Sequence, residues 1–207
     1  MTVLTKLASQ LDRNDEIPNI ELAQELVEAN DIEGIQEIIE NLKNKNKNIQ
    51  SDCMKVAYEI GRLNPNLISD YAEIFIELLK SSNNRLVWGS MQVLSTIAEV
   101  NAASLMGNLH AIKLAIKTGS VITIDKGILT LAKLATVNET NNEQIIPFLI
   151  EHLKTCRTKE VPQHAESTLI AITDKMKEEF LNVLMEREPY MTKPQQKRVQ
   201  KIYKQFI

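Results

Sequence analysis

A period of 37 residues constrains this chain more than any other feature. Ile35, Ala72, Leu109 and Ile146 stand 37 apart, as do Ile38, Phe75, Ile112 and Leu149, and again Leu42, Leu79, Ile116 and Leu153. Within each unit apolar residues recur at three and four positions, the rhythm of one helix face. A face restated at a fixed interval cannot be buried by one unit alone, so neighbouring units must stack to make a continuous core. Lysine then follows at Lys43, Lys80, Lys117 and Lys154, a place where the C-terminal end of a helix favours a cation. The first helix of each unit is predicted to end there.

A second helix repeats from Ile49, Leu86, Thr123 and, after one inserted residue, Val161. Four residues on comes a small side chain, at Cys53, Ser90, Gly127 and Ala165. Large apolar residues follow at Ile60, Ile97, Leu134 and Ile172, then small ones again at Gly61, Ala98, Ala135 and Thr173. Asn64, Asn101 and Asn138 mark where the chain leaves this helix, since Asn tolerates turn geometry. Each unit reads as an antiparallel helical hairpin, and only six glycines and six prolines interrupt the chain. The expected division is a single domain, with cap helices over 1–30, repeats over 31–67, 68–104, 105–141 and 142–175, and a capping repeat over 176–207. Leu4, Leu7 and Leu11 are read as a short leading helix. Val199, Ile202, Tyr203 and Phe206 form the apolar side of a closing helix with Pro194 in its first turn.

Composition narrows the function. With 43% apolar and 25% charged residues the chain can bury a core. A net charge of -3 argues against bulk attraction to nucleic acid or anionic lipid. Two cysteines, Cys53 and Cys156, are too few for a disulfide scaffold and point to a reducing, cytoplasmic setting. No stretch approaches eighteen uninterrupted apolar residues, and the amino terminus carries Lys6, Asp12 and Arg13, so neither a membrane span nor a signal peptide is expected. The closing segment sets Lys193, Lys197, Arg198, Lys201 and Lys204 against Val199, Ile202 and Phe206. That pattern fits a membrane-surface helix, but a solvated cap on the last repeat explains it more simply.

A two-helix unit of 37 residues whose second helix reads Leu86, Ser90, Val93, Leu94, Ile97, Ala98 resembles the HEAT and armadillo repeat families over most of the chain. The resemblance implies an all-α fold, a right-handed superhelix of about five hairpins, with the second helices lining a concave face. The units are divergent: the Arg usual in HEAT repeats one place after the helix-start apolar residue is replaced by Gln50, Val87, Ile124 and Pro162. On the concave face the resemblance places Asp52, Lys55, Glu59 and Arg62, then Trp88, Gln92, Thr96 and Glu99. Asp125, Lys126, Leu129 and Lys133 follow, then Gln163, Ser167, Ala171 and Asp174. The partner-binding set expected from these is Asp52, Lys55, Glu59, Trp88, Gln92, Thr96, Asp125, Lys126, Lys133 and Gln163, a surface of mixed charge. Polar residues there would fix register and Trp88 would supply apolar area. The expected activity is non-enzymatic: a scaffold binding a peptide segment or small protein without a cofactor, monomeric, with a self-assembling adaptor as the alternative.

Catalytic motifs are absent from the sequence, with no Gly-x-Ser-x-Gly, Gly-x-Gly-x-x-Gly or Gly-x-x-x-x-Gly-Lys. HEAT-like metal hydroxylases hold iron with His-Glu pairs, whereas the histidines here precede Ala111, Leu153 and Ala165. HEAT-like alkylpurine DNA glycosylases are the competing resemblance, because they place aromatic residues, an Asp and an Arg in a concave groove, and Trp88 and Asp125 hold equivalent places in adjacent units. Against it, there is no second Trp, Arg62 lies two units from Asp125, and the chain is acidic. His152 and Cys156 lie four apart on a helix, and His164 can return to them across a loop, which is metal-ligand chemistry at a ligand spacing. Nothing in the sequence fixes a fourth ligand, whether Glu151 or Glu160, so His152 and Cys156 are read as a partly exposed face and a helix end, with no metal.

Overall fold

The repeated apolar faces fold as helices. A computed structural model describes residues 2–206, with twelve α-helices and no strand among the described residues. These are α1 (Ile17–Glu28), α2 (Ile32–Glu40), α3 (Lys47–Leu63), α4 (Ala72–Leu78), α5 (Asn84–Ile97) and α6 (Ala102–Gly107). They continue as α7 (Leu109–Thr118), α8 (Val121–Thr136), α9 (Glu139–Thr155), α10 (Val161–Leu169), α11 (Asp174–Arg187) and α12 (Lys193–Tyr203). Contacts gather into two units, one ending at Gly127 and the next beginning at Ile128. No helix is long and apolar enough to cross a membrane among the described residues.

In the N-terminal unit α3 is the central element, packed by α1, α2 and α5, with α4 against α5. The 37-residue apolar series is the core: Ile35, Ile38, Leu42, Phe75, Ile112 and Ile116 are buried together with Ile60, Leu94 and Ile97 of the second helices. Helix starts carry a period of their own. Asn46 caps α3 by accepting from Asn48 N at 2.9 Å, Asn83 caps α5 by accepting from Arg85 N at 3.0 Å, and Ser120 accepts from Thr123 N at 3.4 Å in α8. These oxygens satisfy N–H groups that have no partner within the helix. At Gln50, where a HEAT repeat would carry Arg, the side-chain amide donates to Leu42 O at 2.8 Å, and its oxygen accepts from Asn83 Nδ2 at 2.9 Å. A glutamine thus ties the starts of α3 and α5 together.

Two expectations change. The leading segment is not an α-helix but two 3-10 turns, Val3–Lys6 and Ala8–Gln10; Leu7 is buried and Leu11 is exposed. Thr2 and Glu37 are hydrogen-bonded and Asp52 accepts from Ser9 N, so the segment is held by polar contacts rather than by one apolar stripe. Asn64, Asn101 and Asn138 stand at φ of -150°, -130° and -162°, so none uses left-handed tolerance. Asn64 and Asn138 instead cap the element that follows, accepting from Asn66 N and Asn141 N.

The small positions are contact points. At Gly89 an added Cβ would lie 2.3 Å from Met54 Cγ, near the root of a fully buried side chain. Gly to Ala in a helix interior gains about 1 kcal/mol of intrinsic propensity, but overpacking a fixed neighbour costs roughly 1–3 kcal/mol. Gly89→Ala is therefore expected to destabilise, in urea unfolding, by up to about 2 kcal/mol. Its cost and that of Met54→Ala should be less than additive in the double variant.

In the C-terminal unit α9 packs on α11 and α10 on α12, so first helices stack on first and second on second. Leu149, Leu153, Phe180, Leu184, Val199 and Ile202 make its core. Arg198 of α12 forks onto Glu166 of α10 at 2.8 and 2.6 Å. With Val199 and Ile202 buried against its own unit, α12 has no free apolar stripe, and its lysines are the solvated side of a cap. The repeated lysines Lys43, Lys80, Lys117 and Lys154 are all exposed near ends of first helices; Lys80 pairs with Glu77 and Lys154 with Glu179, each at 2.9 Å.

Candidate partner-binding surface

Helix α3 presents its polar residues every three or four positions, as a helix face requires, but that face is largely covered. Lys55 and Glu59 are each only 7% exposed, a correction to their expected place on an open surface. Lys55 Nζ lies 2.8 Å from Glu59 Oε1 and 3.0 Å from Glu16 Oε2. Glu16, just before α1, also takes Arg85 of α5 at 2.8 Å. One carboxylate thus bridges α3 and α5. Burial would depress the Lys55 ammonium, but its hydrogen bonds to Glu59 and Glu16 outweigh this and hold its pKa above the ordinary lysine value. Burial pushes Glu16 the other way from its partners, and hydrogen bonds from Arg85 and Lys55 prevail, lowering it. Asp52 is likewise committed, accepting from Asn19 Nδ2 and Ser9 N, both at 2.8 Å.

The remaining face lies on α5. Trp88 is half-buried, with the Arg85 guanidinium 4.4 Å from its ring centroid and Tyr58 at 6.1 Å, tilted by 45°. Gln92 and Thr96 follow at one-turn spacing and are half-buried; the Thr96 hydroxyl donates to Val93 O at 2.7 Å. Arg62, exposed, leans on Glu59 at 3.3 Å. Asp125 and Lys126, in the first half of α8, are half-buried and engaged in polar contacts. The structure therefore groups Tyr58, Arg85 and Trp88 with the Lys55–Glu59–Glu16 network beneath them. Tyr58, itself buried, falls outside the repeated positions of the second helix, and Arg85 stands one place before the helix start at Leu86, so neither belongs to the periodic set.

In the C-terminal unit Lys133 is half-buried with a polar partner, and Gln163 is exposed on α10. The open concavity lies elsewhere, where the end of α8, the start of α9 and the α10–α11 turn meet around a groove of about 750 Å³. Ile146, Pro147, Ile170 and Met176 line it, and the exposed Glu139–Lys175 pair at 2.7 Å flanks it. Asn142 fixes one wall, donating to Ala171 O at 2.8 Å and Ala135 O at 3.2 Å. This groove sits at hairpin ends, which a periodic reading of helix faces does not sample.

The same unit brings His152, Cys156 and His164 together. Their ligand atoms lie within 4.8 Å of one another, and His152 Nε2 is 2.9 Å from His164 Nδ1. His164 is fully buried and the other two are partly so. Burial, with His164 beside it, pushes His152 down to about 4. Burial pushes the Cys156 thiol up to about 11 and that of Cys53 to about 12, so neither thiol is an activated nucleophile at neutral pH.

No protein-family model matches the sequence, and no curated protein does. Solved structures do match. A designed armadillo repeat protein in complex with the peptide (KR)4 aligns over 100% of both chains at a TM-score of 0.71 and 15% identity. Computationally designed armadillo repeat proteins for modular peptide recognition align over 89% of this chain and 85% of theirs, at 0.68 and 14%. An engineered protein aligns over 98% of this chain and 95% of its own, at 0.65 and 17%. The chain has an armadillo-type helical repeat fold. At these identities the likeness speaks to the fold alone.

Proposed function

We propose that this repeat protein is a non-enzymatic scaffold, acting as a monomer in the cytoplasm, that holds a peptide segment of another protein along the second helices of its N-terminal unit. The observation that carries this reading is Trp88, the sole tryptophan of the chain, half-buried on a second helix with Arg85 over its ring and Tyr58 beside it. Such a side chain offers apolar area at low cost in conformational freedom, and tryptophan and arginine dominate binding energy where they sit on a rigid support. The Glu16 bridge between α3 and α5 supplies that rigidity. That designed armadillo proteins recognise peptides is further support from the fold.

The glycosylase alternative is weaker. Both guanidinium groups on this face are already paired, Arg85 with Glu16 and Arg62 with Glu59, and duplex affinity rests on charges available to phosphates. A peptide display selection followed by titration tests the proposal, because Trp88 fluorescence reports directly on occupancy of the face. A selected peptide should shift Trp88 emission, and Trp88→Ala, with helicity unchanged, should weaken its binding by about 2 kcal/mol or more, roughly thirtyfold. If Trp88→Ala leaves binding intact while Ile170→Asp, at a 53% exposed groove position, abolishes it, the site is the groove of the C-terminal unit instead.

A further inference from the structure

On the sequence alone His152 and Cys156 read as a partly exposed face and a helix end, because nothing fixes a fourth ligand beside them and His164. The fold makes them converge. His152 lies in the last turn of α9, and Cys156 is its C-cap residue, four positions on; the Cys156 amide donates to His152 O at 2.8 Å, which keeps the two side chains on one side. His164 enters from the first turns of α10. We propose that these three side chains form a binding site for a borderline-soft divalent cation, zinc above all, with water completing a fourth position.

Geometry and chemistry agree on this. Zinc bonds of about 2.0–2.1 Å to nitrogen and 2.3 Å to sulfur put tetrahedral donor atoms roughly 3.3–3.6 Å apart. The imidazole nitrogens stand at 2.9 Å and all three donors within 4.8 Å, so small side-chain rotations bring the set to bonding distance. The imidazole planes are tilted by 52°, away from the flat stacking that would hide both lone pairs. Two imidazoles and a thiol select zinc or a neighbouring transition metal and disfavour magnesium or calcium, which take oxygen ligands. The C-terminal end of α9 adds a partial negative charge where the cation would sit.

The support around the site is rigid. Arg187 of α11 donates to Lys154 O and, at 2.6 Å, to Cys156 O, and Arg157 pairs with the buried Glu160. These bonds pin the α9–α10 connection that carries the cysteine. His164 lies fully buried at the base while His152 and Cys156 keep partial exposure, so an ion has a route in. Loading is balanced simply: the Cys156 thiol gives up one proton, the imidazoles stay neutral, and the proton now shared between Nε2 and Nδ1 is relocated to an outer ring nitrogen.

The test uses the untagged full chain after chelator treatment. Cobalt(II) should bind one to one, giving visible bands of a tetrahedral ion and a near-ultraviolet thiolate band, and zinc should displace it. Cys156→Ser should abolish the thiolate band. Cys156→Ser and His152→Gln should each weaken zinc binding by at least the roughly 10–100-fold that loss of an outer-sphere partner alone costs. Cys53→Ser, altering the only other thiol, should change neither signal. His164 is left intact because its substitution risks unfolding the unit. Absence of the thiolate band, or zinc affinity unchanged in both ligand variants with native helicity, overturns the proposal and leaves a structural imidazole hydrogen bond.

Discussion

Phe180→Ala is expected to lower the stability of the C-terminal unit by about 3–5 kcal/mol, the range for emptying a fully buried aromatic position. The ring is wholly excluded from solvent in α11 and sits with its centroid 6.2 Å from that of Phe206, tilted by 59°. Phe206 in turn lies under Lys177, whose Nζ is 5.3 Å from its centroid and donates to Phe206 O at 3.0 Å. Removing Phe180 thus deletes both a core side chain and the apolar partner that holds the last turn of the chain. In a repeat fold stability is close to a sum of local unit and neighbour contributions, so the loss should be regional. Hydrogen exchange should show lost protection concentrated in residues 128–207, together with a fall in melting temperature on the order of 10 °C. A small uniform loss across the whole chain would mean that the unit does not respond separately.

The helices were legible because each repeats three features: the apolar positions, the lysine near the end of the first helix and the small residue of the second. Phe75, Ile112 and Leu149 are buried where the period puts them, and Gly127 lies so close to Ile116 that a Cβ would stand 2.3 Å from its Cγ1. The polar residues carry a second period. Asn46, Asn83 and Ser120 are also 37 apart and cap the second helices, a polar signal that a search for apolar faces does not sample.

The surface was less legible, for a reason that Glu16 makes plain. Its carboxylate meets Lys55 and Arg85, partners 39 and 69 positions away that no repeat register relates to it. The same holds for His152 and His164, whose contact depends on how α9 and α10 are joined across a loop with one inserted residue. Periodicity reports which face of a helix is apolar; it does not report which non-repeated residue comes to cover the polar face. Polar residues at open-looking positions can therefore be structural, as Lys55 and Glu59 are.

Lys55→Ala is expected to destabilise the N-terminal unit by about 3–5 kcal/mol, the range for breaking a buried ion pair from one side. Glu59 would be left 7% exposed with only the longer contact to exposed Arg62, while Glu16 would keep Arg85. The cost should come from the stranded carboxylate, so Lys55→Met combined with Glu59→Leu should recover most of it, since apolar replacement of both partners is often near neutral. The pH dependence carries a definite sign. The pairing of Lys55, whose pKa is raised above 10.5, contributes fully below that value and is lost as pH rises through the folded pKa. Glu16, lowered from 4.5, contributes above that value and loses its share as pH falls through its folded pKa. The gap between wild type and Lys55→Ala in urea unfolding should accordingly be widest between these limits and narrow beyond either. A gap unchanged at strongly alkaline pH would show that Lys55 stabilises α3 through its aliphatic stem and not through its charge.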